Sequence, residues 1–207
     1  MHRNMGVFRL SDKGLLLNSV VALDDAGLAS LTALGKPEIM LVPHAKHSMD
    51  AAFYKQRFPD LIVVTPDDSK AEVETRRQVK VDGNPEVVLR EHGLRLSAIP
   101  GIRYTEYAVE VPVDGRWGLM ITDSLSHGKN QMPDTLSGKL TRITGVPGGG
   151  FGVSRIFRFS MVKDRSAFRK WIAAQADRDD LAFVWVAHGD PVLSDVKAEL
   201  RRAVTTL

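Results

Sequence analysis

Ile39-Met40-Leu41-Val42-Pro43 runs without a break into His44-Ala45-Lys46-His47-Ser48-Met49-Asp50. A short apolar run that ends in a polar, histidine-bearing cluster reads as a buried strand carrying functional groups at its C-terminal end. Two other stretches repeat the pattern. Leu119-Met120-Ile121-Thr122 delivers Asp123, and Phe183-Val184-Trp185-Val186-Ala187 delivers His188-Gly189-Asp190. In open α/β sheets such strand ends gather in one place, so three histidines and two or three aspartates are candidates for one polar site.

The remaining pattern supports a layered α/β protein. Residues 14–21 read as a strand, and Asp24 or Asp25 caps a helix carrying Leu28, Leu31 and Leu34 that Gly35 closes. Helical patterns follow over 48–57 and from Asp67/Asp68 to about Lys80, with a buried strand over 61–65 between them. Tyr104–Val113 alternates, Asp114-Gly115 is a hairpin turn, and Trp117–Thr122 returns. Ser154–Met161 reads as a strand or an extended entry to a helix capped by Ser166. A final helix starts at Ser194. Strands alternating with helices around a hairpin imply a mixed sheet, and no linker breaks the chain, so residues 1–207 are expected to form one domain.

Composition narrows the chemistry. The 207 residues include no cysteine, which excludes a disulfide scaffold, a Cys-ligated zinc site, an iron–sulfur cluster and a cysteine nucleophile. The net charge is +3 and there is no long basic run, so charge makes no case for nucleic acid. No apolar stretch approaches the roughly 20 residues that span a bilayer, and the N-terminus lacks a signal-peptide core. The expectation is a cytoplasmic protein with a small-molecule substrate or ligand and no membrane partner; a homo-oligomer is left open.

Imidazole and carboxylate together are the ligand set of zinc, iron or manganese. The plain alternative is that each cluster is only a turn: Asp123 caps a loop, and Asp190-Pro191 is an ordinary turn signal. Other motifs carry less. Ser126-His127-Gly128-Lys129 and Ser194-Asp195-Val196-Lys197 both fit Ser-x-x-Lys, at chance level. The run Gly145–Gly152 fits no phosphate-loop pattern, and Gly138-Lys139 is followed by Leu140. It reads as a flexible loop placed to cover a pocket. Arg155, Arg158, Lys163, Arg165, Arg169 and Lys170 form either an anion patch or a solvated helix face. Glu106 falls on the wetter face of its alternating strand and is read as solvated.

Leu10-Ser11-Asp12-Lys13-Gly14-Leu15, Leu41-Val42-Pro43-His44, Phe58-Pro59, Ile121-Thr122-Asp123-Ser124-Leu125 and Ala187-His188-Gly189-Asp190-Pro191-Val192, in this order and spacing, resemble the metallo-β-lactamase-fold superfamily. The likeness is to a short bacterial group with an eroded metal site. It implies a four-layer αββα sandwich with mixed sheets. The superfamily motif His-x-His-x-Asp-His is not intact. Without a gap only His44 matches, against Lys46, Ser48 and Met49. With one inserted residue, His44 and His47 match the paired histidines, Met49 replaces the aspartate and Asp50 the last histidine. The superfamily's middle histidine belongs near Pro100-Gly101-Ile102-Arg103, where there is none, and His92 lies in a separate turn. Asp123 matches the bridging aspartate and His188 the terminal histidine.

The resemblance implies a metal-dependent hydrolase with a reduced site. One zinc, iron or manganese ion would sit on His44, His47, Asp123 and His188, with Asp50 and Asp123 as the catalytic carboxylates. The substrate would be an ester, thioester, amide or phosphoester. The other reading is a metal-free relative that binds an anionic small ligand through Lys46 and Asp190, or serves as an interaction module.

Overall fold

The computed structural model describes residues 3–11, 13–128 and 143–207. Asp12, Lys129 and the Gly138-Lys139-Leu140 stretch lie outside the described residues. The chain divides into two compact units, Asn4–Leu96 and Ser97–Leu207, with Arg3 belonging to the second.

The first unit is built on a four-stranded sheet in the order β1-β2-β3-β4. The strands are β1 (Gly6–Arg9), β2 (Leu15–Asn18), β3 (Pro37–Leu41) and β4 (Ile62–Val64). β1 runs antiparallel to β2, while β2, β3 and β4 run parallel. All four residues of β2 are buried, which is why it reads as a continuous apolar run rather than an alternating one. Four helices accompany this sheet: α1 (Asp25–Leu34), α2 (Ala51–Arg57), α3 (Asp67–Arg77) and α4 (Pro85–Glu91). Asp24 caps α1 by accepting a hydrogen bond from the Gly27 N–H at 2.8 Å. The core packs Leu15, Leu17, Leu31, Met40, Tyr54, Val63 and Val73. The Tyr54 hydroxyl donates to the Val21 carbonyl at 2.8 Å. Burial first, and the nearby Asp50 charge second, push its phenol up to about 12.

The second unit carries a four-stranded sheet in the order β10-β7-β6-β5. Its strands are β5 (Arg95–Ala98), where the chain enters the unit, β6 (Tyr107–Val113), β7 (Arg116–Ile121) and β10 (Leu181–Val186). β6 and β7 form the expected antiparallel hairpin, with left-handed Asp114 and Gly115 at the turn. β10 returns parallel to β7. Both sheets are therefore mixed. A small antiparallel pair joins β8 (Ser126–Gly128) to β9 (Gly150–Gly152). The helices are α5 (Arg155–Ser160), α6 (Arg165–Ala176) and α7 (Val196–Thr205). The core gathers Leu119, Ile121, Phe151, Phe168, Ile172, Val184 and Leu200.

Several boundaries differ from the sequence reading. Residues 155–160 are helical rather than extended, because the Ser154 hydroxyl caps the Phe157 N–H and only Phe157 of the segment is buried. α6 is capped by Asp164, not Ser166: its carboxylate accepts from the Ala167 N–H at 2.9 Å. β1 went unread because four residues with one buried position give no periodic signal. Among the described residues no helix is long and apolar enough to cross a membrane.

Gly101 fixes one important path of the chain. It adopts φ +81°, and a Cβ there would stand 2.3 Å from the Asp164 carbonyl oxygen. Its own carbonyl accepts from the N–H groups of Lys163 (2.8 Å) and Asp164 (3.0 Å). Gly93 has a similar φ of +77° but nothing within 4 Å of a would-be Cβ. Gly93→Ala is expected to cost about 1–2 kcal/mol, the left-handed penalty alone. Gly101→Ala should cost clearly more in denaturant unfolding, since backbone must move as well. Equal losses would contradict the close approach.

Candidate metal centre

In the first unit, β3 ends at Leu41 and leads through buried Val42 and Pro43 to His44. His44 is extended, and Ala45–His47 forms a single 3₁₀ turn behind it. Side chains three residues apart nearly eclipse on such a turn, so His44 and His47 share one side of it. Their ring centroids lie 4.9 Å apart, and both residues are buried. The turn is held in place from two directions. The Ser48 hydroxyl donates to the Ala45 carbonyl at 2.6 Å, and the Arg77 Nε donates to the Ser48 Oγ at 2.9 Å. Lys46 and Met49 point to solvent, and Asp50 is half-buried at the start of α2.

Ser19 was not singled out by the sequence. It follows β2, is fully buried, and adopts a left-handed φ of +57°. Its hydroxyl lies 2.6 Å from the His47 Nδ1. For a non-glycine residue that backbone conformation costs about 1–2 kcal/mol, and such strain concentrates at functional positions. A hydrogen bond on Nδ1 orients the ring and makes Nε2 the nitrogen it can present to a metal. Beside it, Asn18 Oδ1 is buried with no hydrogen-bond partner among the described residues.

The second unit carries the other predicted ligands. β10 pairs with β7 in the register Val186↔Ile121. Asp123 and His188 each lie two residues beyond that pair, so parallel pairing brings them side by side. The His188 Nε2 stands 3.1 Å from the Asp123 Oδ1, with both side chains about one-fifth exposed. The loop after His188 folds back along β10 through the Val184–Val192 bridge. Its Asp190 is exposed, and the Asp190 carbonyl rather than its carboxylate meets His127 Nδ1 at 3.0 Å.

Glu106 corrects the sequence reading: it is fully buried, not solvated. It stands one residue before β6 and shares its parity with Ala108, a core residue, so the face that alternation assigned to solvent is the buried one. The Glu106 Oε1 accepts from the backbone N–H groups of Thr122 (2.8 Å), Asp123 (3.1 Å) and Ser124 (3.3 Å), and from the Ser124 hydroxyl (3.0 Å). Its Oε2 accepts from the Ser124 N–H at 3.2 Å and the Tyr104 hydroxyl at 3.0 Å.

The place where the superfamily's middle histidine was sought holds no ligand. Ile102 is buried and bridges to Val162, and the Arg103 N–H donates to the Met161 carbonyl at 2.9 Å. With Gly101 pressed on Asp164, this segment is sealed against the start of α6. His92 closes α4 elsewhere. The second Ser-x-x-Lys match is not a catalytic pair, since Lys197 is engaged by Asp179. Lys129 of the first lies outside the described residues. Arg158, read as part of a basic patch, serves the fold by donating to the Thr206 carbonyl, and Arg178, held by Asp180 and Glu110, ties β6 to the entry of β10. Those bonds raise the Arg178 pKa above its ordinary value.

No family model matches the chain, and no curated protein matches it in sequence. Solved structures do. A metallo-β-lactamase from Erythrobacter litoralis, with beta mercaptoethanol in its active site, aligns at TM-score 0.61 and 13% identity, over 99% of this chain and 86% of that one. One from Hirschia baltica aligns at TM-score 0.52 and 13% identity, over 98% and 85%. FIM-1 from Pseudomonas aeruginosa, in its mono-zinc form, aligns at TM-score 0.53 and 11% identity, over 97% and 89%. At these identities the likeness speaks for the fold alone, and it runs over both units: the chain has the α/β metallo-β-lactamase fold.

Proposed function

We propose that this protein is a metal-dependent hydrolase with a reduced, single-ion site held by His44, His47, Asp123 and His188. The observation that carries the reading is the Ser19–His47 hydrogen bond, at 2.6 Å between two buried residues. A partner fixed on the far nitrogen is the usual support of a metal-ligating imidazole. It stands in a chain whose fold is that of metallo-β-lactamases, at a strand end where His44 and His47 match the superfamily's paired histidines once one residue is inserted. Asp123 and His188, paired within their own unit, supply the other half of the ligand set.

The donor set fits one ion. Three imidazoles and a carboxylate suit zinc, iron or manganese. It does not fit two, because the sealed segment 100–103 offers no histidine. A cation held there supplies Lewis-acid polarisation of a substrate oxygen and a lowered pKa for a coordinated water. The residues supply the rest. Ser19 and the 3₁₀ turn orient the histidine pair. Asp123 and His188, with Oδ1 and Nε2 3.1 Å apart, would each present a ligand atom to the ion. Asp50, half-buried beside the turn, is the auxiliary base. The substrate class is an ester, thioester, amide or phosphoester.

The metal-free reading is less well supported. Lys46 is exposed, so its ammonium stands in solvent instead of replacing a buried cation's charge.

Two experiments test the proposal. A ligand bound only by the folded state raises its melting temperature by mass action. The melting temperature is therefore expected to fall on treatment with a chelator and to recover with zinc. His188→Ala should lose both the response and any hydrolysis. A melting temperature indifferent to chelator and zinc would contradict the site. Ser19→Gly separates strain from support: glycine accepts the left-handed backbone but removes the hydroxyl. Zinc affinity should fall about 10–100-fold with no matching loss of thermal stability. Unchanged affinity would show that Ser19 plays no part.

A further inference from the structure

Glu106 is the most heavily bonded buried carboxylate among the described residues, and no part of the proposed chemistry uses it. It lies one residue before β6, sixteen to eighteen residues before the backbone N–H groups it binds. Three consecutive backbone N–H groups, those of Thr122, Asp123 and Ser124, converge on its carboxylate. Successive N–H groups turned inward form a concave anion-binding nest. Here the anion is the protein's own side chain. Two hydroxyls, from Ser124 and Tyr104, complete the shell.

Burying a carboxylate is costly unless donors compensate it, and hydrogen bonds to an ionised group are the strong ones. A carboxylate is the acceptor-only side chain that such a crowd of donors requires. The consequence is mechanical. The loop carrying Asp123 would otherwise have three backbone N–H groups to satisfy and several conformations in which to do so. With the nest filled, the backbone at 122–124 is fixed in one conformation. That conformation puts the Asp123 Oδ1 at 3.1 Å from the His188 Nε2.

We infer that Glu106 is a positioning residue: by filling the 122–124 nest it holds the Asp123 carboxylate against His188 and so sets the geometry in which both bind a cation. The inference deepens the metal-site reading and rests on it for the cation, but not for the anchoring of the loop.

The test uses the full chain and Glu106→Gln. Glutamine keeps the volume and one acceptor oxygen for the Thr122, Asp123 and Ser124 donors. It removes the charge and turns an amide NH₂ toward the Ser124 N–H. Two quantities are read. One is hydrogen exchange of the 122–124 amides without metal, against the amides of β7 and β10. The other is zinc affinity by chelator competition. Expected in the variant is at least about tenfold faster exchange at 122–124, with the strand amides unchanged. Zinc affinity is expected to fall at least about tenfold at an unaltered fold. A purely structural role would not move zinc affinity in a variant that melts where the parent does.

Exchange equal to the parent's would overturn the inference. So would zinc affinity equal to that of a parent that binds zinc. If the parent binds no zinc, the metal-site reading fails, and exchange alone then decides the role of Glu106. Should Glu106→Gln not fold, Ser124→Ala decides instead. It removes only the hydroxyl donor to Oε1 and should accelerate 122–124 exchange to a smaller degree. No change in that variant would overturn the inference.

Discussion

The parallel pairing of β10 on β7 is the constraint on which the site in the second unit depends. With Val186 opposite Ile121, the chain places Asp123 and His188 side by side, two residues beyond the sheet. A shift of one residue in either strand would turn its side chains to the other face. Apolar burial guards against that shift, because Leu119, Ile121, Val184 and Val186 are all core residues. Beyond the strands the ladder ends, and bonds from other segments take over. Glu106 holds one loop from beneath. The Val184–Val192 bridge and the His127 N–H, which donates to the His188 carbonyl at 2.9 Å, hold the other.

The first unit solves the same problem by different means. Its histidines lie on a short 3₁₀ turn, which by itself has poor hydrogen-bond geometry. Ser48 ties the turn to itself, Arg77 ties it to α3, and Ser19 reaches His47 from the end of β2. The His44–His47 turn and the Asp123 loop thus each have a buried polar anchor from another part of their own unit, Ser19 and Glu106. Such anchors cost desolvation and backbone strain, as at the left-handed Ser19, and are retained where side-chain placement matters.

The strand-end clusters were legible because each apolar run is a largely buried strand that stops where polar residues begin. The caps of α1 and the β6–β7 hairpin were legible because the turn and cap chemistry is local. Ser19 and Glu106 were not. Ser19 lies in the sequence as one more residue after an apolar run, and its role appears only with a positive φ and a partner 28 residues away. Glu106 was misplaced because alternation names a face without saying whether that face is wet. The face that Glu106 shares with Ala108 is the buried one. That residues 100–103 hold no histidine was visible, but their packing was not. Gly101 and Ile102 press on the residues before α6, a contact some sixty residues apart in sequence.

Metal content measured by elemental mass spectrometry, on protein purified without an affinity tag or chelator, tests the central claim most directly. A single-ion centre on His44, His47, Asp123 and His188 predicts close to one equivalent of zinc, iron or manganese per chain. It also predicts that a His44→Ala or His188→Ala variant loses that ion while remaining folded. A content near zero that excess zinc does not raise would contradict it, as would one equivalent retained in both variants.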